Sequence, residues 1–79
     1  MKYHPPVKRS VEIAGHKTSI TLEPVFWDLL REDAQASDLP INAIVARIDA
    51  ARLEVEEPTG LASAIRQYLV AQMRGGGEA

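Results

Sequence analysis

Lys17-Thr18-Ser19-Ile20-Thr21-Leu22-Glu23-Pro24-Val25-Phe26-Trp27-Asp28-Leu29-Leu30 changes its hydrophobic period half-way along. Up to Leu22 the period is two. Thr18, Ile20 and Leu22 share one face, and Lys17, Ser19 and Thr21 share the other. Dense β-branching on that pattern predicts a strand over 17–22 with one buried side. Pro24 has no N–H to give a ladder, so the strand stops there. Its fixed φ suits the first turn of a helix. From that point Val25, Phe26, Leu29, Leu30 and Ala34 form a wide apolar arc, which predicts a helix over 24–37 with neighbours on more than one side. Glu23 and Asp28 complement its N-terminal dipole. Ser37-Asp38-Leu39-Pro40 ends it.

Working outward, Ile41, Ile44, Val45 and Ile48 recur at helical spacing and predict a second helix over 40–53. Ala43, Ala46 and Ala50 allow another helix to approach it closely. Glu54 to Gly60 is an acidic loop containing Pro58. Thr59 suits the cap of a third helix over 60–74, whose stripe is Leu61, Ala64, Ile65, Tyr68, Leu69 and Met73. Upstream, Val11 and Ile13 alternate with Ser10 and Glu12, predicting a first strand over 8–14. A tight turn at Gly15-His16 would join the two strands as a hairpin. Pro5-Pro6 makes residues 1–7 an extended arm. Three glycines make 75–79 a flexible tail. The prediction is one domain over 8–74, of class α+β and mainly α.

Composition narrows the function. The chain has 79 residues, 46% hydrophobic and 25% charged, which is globular composition. It has no cysteine, so disulfides and thiolate chemistry are excluded. No apolar run approaches the length of a membrane span, and the N-terminus lacks the apolar core of a secretory signal. A soluble, cytoplasmic protein is expected. So small a chain buries a modest fraction of its surface, and without a disulfide a homo-oligomer is the expected remedy. The net charge of −2 is unevenly spread. Residues 1–22 carry Lys2, Lys8, Arg9 and Lys17 against Glu12, giving +3. Residues 23–79 carry five cations against ten acids, giving −5. The basic end can face a polyanion although the whole chain is acidic.

K-R-S-V-E-I-A-G-H-K-T-S-I-T-L-E-P-V-F-W-D-L-L, followed by L-P-I-N-A-I-V, resembles a family of short bacterial ribbon-helix-helix proteins. The resemblance spans about Lys8 to Arg74. It implies a ribbon-helix-helix homodimer carrying an extra N-terminal strand and a third C-terminal helix. One strand from each chain would pair about a two-fold axis, above interlocked helices. Ile20, Leu22, Phe26, Leu30, Ile44, Val45 and Ile48 would then form the dimer interface. In relatives that bind DNA, the ribbon enters the major groove and alternate residues read base edges. Carried onto this strand, the readers are Lys17, Ser19 and Thr21. Lys8 and Arg9 would add contacts from the first strand. Ile41 and Asn42, at the start of the second helix, would hold phosphate on free backbone N–H groups. The implied function is a homodimeric transcription regulator inserting a β-ribbon into a palindromic site on double-stranded DNA.

A second reading stays open. The acidic total and the extra strand favour a protein-interaction module on the same dimeric fold, antitoxin-like or an adaptor, docking a partner through the sheet or the third helix. Other classes are disfavoured. His4 and His16 lack a third ligand at recognised spacing, so no metal is expected. Asp28, Glu32 and Asp33 read as a solvated helix face rather than an acid/base group. No nucleophile accompanies a histidine motif and no glycine loop cradles phosphate, so neither enzyme activity nor a cofactor is expected.

Overall fold

A computed structural model describes residues 1–75. From residue 76 onward, the tail expected over 75–79 lies outside the described residues. Strand β1 spans Val7–Ile13 and β2 spans His16–Leu22. They are followed by helices α1 (Pro24–Ala36), α2 (Ile41–Arg52) and α3 (Leu61–Met73). The strands form an antiparallel two-stranded sheet, and the class is α+β, mainly α.

The hairpin turn sits on Ala14-Gly15, one residue earlier than the sequence suggests. Ala14 (φ 51°) and Gly15 (φ 81°) are both left-handed. That pairing of angles marks the type I′ turn, whose twist matches that of the strands. Glycine takes such a φ without a Cβ penalty, whereas Ala14 is strained there. A two-residue loop makes Ile13 and His16 a hydrogen-bonded pair. The register then follows as Glu12↔Lys17, Val11↔Thr18, Ser10↔Ser19, Arg9↔Ile20, Lys8↔Thr21 and Val7↔Leu22.

The termini of α1 explain its length. The Glu23 carbonyl accepts from Phe26 N–H (2.9 Å) and Trp27 N–H (3.2 Å), and Pro24 fills a position that needs no donor. At the other end Asp38 takes φ 57°. Asp38 N–H donates to the Gln35 carbonyl (3.1 Å), and Leu39 N–H to the Ala34 carbonyl (2.9 Å). This is a Schellman close with aspartate where glycine is usual.

The core is assembled within one chain. Val11, Ile20 and Leu22 come from the sheet, Trp27, Leu30 and Ala34 from α1, Ile44, Val45 and Ile48 from α2, and Ile65 and Leu69 from α3. α2 packs against β1 and α3, and α3 also packs against β2. Burying this apolar surface is the main stabilising term. Polar ties close the rim. Arg66 donates to Glu23 Oε1 from Nε (3.1 Å) and Nη2 (2.9 Å). The Tyr68 hydroxyl donates to Asp33 Oδ2 at 2.7 Å. Glu23 is held below the usual carboxylate range by its own backbone N–H and then by Arg66. Desolvation, helped by the Asp33 hydrogen bond, pushes the Tyr68 phenol up to about 12.

Candidate nucleic-acid interface

Alternation divides the hairpin into two faces. Ile20, Leu22 and Val11 point into the core, while Lys8, Ser10, Glu12, Lys17, Ser19 and Thr21 are exposed on the outer face. The outer face is short, polar and hydroxyl-rich, with two lysines and one carboxylate. It has the donors and acceptors needed to meet base edges, and flanking charge for phosphate.

The same register sets the direction of the backbone groups. Ile13, Val11, Arg9 and Val7 exchange hydrogen bonds with β2. Glu12, Ser10 and Lys8 direct theirs away from β2. Consistent with this, Glu12 N–H donates to Asn42 Oδ1 at 3.2 Å. On β2, the N–H and C=O groups of Lys17, Ser19 and Thr21 face the free edge and bond to nothing among the described residues. The two edges are therefore unequal. The β1 edge is fastened to α2 through Asn42, while the Val7 carbonyl, which faces β2 and not that edge, accepts from Trp27 Nε1 of α1 at 2.9 Å. The whole edge of β2 is open, a template for another strand.

Arg9 is opposite Ile20, on the side away from Lys17, and its guanidinium lies over the Trp27 ring at 5.4 Å from the centroid. Stacking on Trp27 gives Arg9 a role within the chain. Ile41 is half-buried against the core, and Asn42 is exposed with its side-chain oxygen engaged by Glu12. Backbone bonding in α2 begins with Ala43 N–H to the Pro40 carbonyl (3.0 Å), which leaves the Ile41 and Asn42 N–H groups without a backbone partner. The Asn42–Glu12 bond holds this helix end beside the sheet.

Of the positions expected at a dimer interface, Ile20, Leu22, Leu30, Ile44, Val45 and Ile48 have their side chains inside one chain, and Phe26 is half-buried under Arg66 at 5.7 Å. β1, Trp27 and α3 close over them. Ser10 and Glu12 belong to the outer face although the sequence did not single them out. Their alternation with Val11 and Ile13 was the available signal, and the hairpin register supplies their partners.

A family model described as a ribbon-helix-helix domain matches residues 6–73. No curated protein and no solved structure matches the chain. Domains of that family generally dimerise and bind DNA, and they are typically regulators rather than enzymes. No helix among the described residues is long and apolar enough to cross a membrane.

Proposed function

Because this chain belongs to the ribbon-helix-helix domain family, we propose that it is a homodimeric transcription regulator that reads a palindromic DNA site through the outer face of β2. The observation that carries the reading is the state of β2. Its backbone edge is open over a full strand, and the side chains standing above that edge are Lys17, Ser19 and Thr21.

Two copies would pair β2 with β2 about a two-fold axis. Ser19 is the centre of the seven-residue strand, so an axis there leaves no residue of His16–Leu22 without an opposite. Lys17 of one copy then lies across from Thr21 of the other. The product is a four-stranded sheet with β1 on each outside. At about 4.8 Å per strand, its outer axes lie about 14 Å apart, against a major groove about 12 Å wide. Each strand is also rotated by about 20–25° on its neighbour, so the outer strands diverge. The central β2 pair is the part that enters. Lys17 donates to guanine O6/N7, and the Ser19 and Thr21 hydroxyls donate or accept. Lys8, on β1, lies at the level of the phosphates. The N-terminus of α2, with the free N–H groups of Ile41 and Asn42, faces phosphate flanking the groove.

Capture of fragmented genomic DNA at about 150 mM salt, near physiological screening, tests the reading. A recurring inverted repeat among the captured fragments is expected. Lys17→Glu should abolish retention of that repeat while the protein stays folded and dimeric. Wild-type protein that is folded, dimeric and retains no DNA would refute the proposal. The acidic body of residues 23–79 and the open edge of β2 would then favour a partner protein that adds a strand to this sheet.

A further inference from the structure

Five of the six side chains on the outer sheet face are cationic or hydroxylic; Glu12 is the exception. It stands directly across from Lys17, in a pair whose backbone groups point away from each other. Side chains in such pairs are the closer kind, with Cβ atoms about 4.5–5.5 Å apart. The ion pairs among the described residues are elsewhere: Asp28–Arg31, Asp49–Arg52 and Glu23–Arg66. Glu12 and Lys17 are both exposed, and neither is drawn into the body of the protein. The backbone of Glu12 is fixed, since its N–H is held by Asn42 Oδ1 at the start of α2. The Glu12 backbone is therefore held where the sheet meets the helix end, and its side chain shares the outer face with the lysine directly opposite.

We propose that Glu12 is a specificity-determining residue of the DNA-reading face. This inference rests on the function proposed above. A carboxylate at that position repels phosphate whatever the sequence. It also offsets the charge of Lys17, so Lys17 gains little from phosphate alone. What remains for Lys17 is directional donation to a base acceptor, which only the matching site supplies. Discrimination built from a repulsive element beside an attractive one is a general device of specific interfaces. Per chain, Lys8 and Lys17 give the face two positive charges and Glu12 removes one, leaving a net +1.

Binding to unrelated DNA comes from counterion release by cations at phosphates. If loss of the carboxylate frees Lys17 to neutralise one phosphate per chain, the slope of log K against log salt steepens by about 0.9 per chain, or about 1.8 per dimer. The experiment compares wild type, Glu12→Gln and Glu12→Asp. Each is titrated on the captured repeat and on a scrambled duplex of equal length, across about 50–200 mM salt. Because Asn42 accepts from the backbone N–H, both variants keep that bond, and far-UV circular dichroism checks folding.

Glu12→Gln should bind the scrambled duplex about tenfold more tightly at the lowest salt with the steeper slope. It should bind the repeat only slightly better, so the ratio of the two affinities falls. Glu12→Asp, which keeps the charge, should behave as wild type. An unchanged slope and unchanged affinity for the scrambled duplex in Glu12→Gln would overturn the inference alone, provided wild type retains the repeat. Glu12→Asp behaving like Glu12→Gln would also overturn it, since the charge would then not be the cause. Failure of all three proteins to hold any duplex would bring down both the DNA reading and this inference.

Discussion

Replacing Ser19 by proline separates folding from assembly. In the register of the hairpin, the Ser19 N–H points to the open edge of β2, while the ladder to β1 is carried by Thr18 and Ile20 on either side. Proline therefore removes no hydrogen bond from the chain's own sheet. Thr18, preceding it, is already extended, as a residue before proline prefers. Edge strands with the N–H toward solvent are where sheets tolerate proline. The fold should lose about 1 kcal/mol or less, mainly from adjusting φ at Ser19. Dimerisation should suffer far more. With the two-fold at Ser19, each Ser19 N–H donates to the other copy's Ser19 carbonyl. Two bonds at about 0.5–1.5 kcal/mol each are lost. The ring also occupies the space through which strands approach to about 4.8 Å. A total of about 3 kcal/mol or more weakens the dimer by at least about 100-fold. Sedimentation equilibrium across a wide range of protein concentration reads this, with circular dichroism confirming the monomer's fold. Ile20→Pro is the contrast, because it deletes a ladder donor at a buried position and should unfold the chain. A folded Ser19→Pro protein that dimerises as wild type does would refute pairing through β2.

Two further outcomes concern the body of the domain. Asp38 holds a left-handed φ of 57° at the close of α1, so Asp38→Gly should stabilise the fold by about 0.5–1 kcal/mol. For a chain of this size that is a rise in Tm of about 2–8 °C, and a fall would show that the aspartate side chain contributes more than the strain costs. Tyr68 has its phenol raised from 10.0 to about 12, so the folded state holds that proton more tightly than the unfolded chain. Its contribution is complete below pH 10 and is lost as pH rises from 10 toward 12. Tyr68→Phe should therefore be less stable than wild type at pH 8, with the gap narrowing by pH 11–12 in denaturant titrations. A constant gap would mean that burial and the Asp33 contact together do not hold the proton more tightly in the folded state.

The alternation of Lys17 to Leu22 was enough to separate a polar face from a buried one, because side chains alternate across any strand whatever it pairs with. Pro24 and the arc after it were enough for a helix. The partner of Glu12 was not legible. A turn at Gly15-His16 would set Glu12 opposite Ser19, and the observed turn at Ala14-Gly15 sets it opposite Lys17. Choosing between them meant knowing that Ala14 would accept a left-handed φ, which local preference opposes. Phe26 and Trp27 make the same point on a helix. They are adjacent, about 100° apart around the axis, and the apolar arc read from the sequence includes Phe26 but not Trp27. Trp27 is the buried one, at 3% exposure, because β1 covers it and its indole N–H reaches the Val7 carbonyl. The contact of the Arg9 guanidinium with the Trp27 ring is likewise set by the strand register and not by any local pattern.

Periodicity, proline placement and composition determined the order of elements, their buried faces and the polarity of the outer face of β2, since each depends on neighbours within a few residues. They also marked Ile20, Leu22, Leu30, Ile44, Val45 and Ile48 as buried. Only the tertiary structure decided that β1, Trp27 and α3 bury them within one chain, and that the edge left open is that of β2. Burial is a property of hydropathy and can be read along a chain. Which surface does the burying depends on contacts between residues far apart in sequence, such as Trp27 with Val7, Asn42 with Glu12 and Arg66 with Glu23, and no local pattern encodes those pairings.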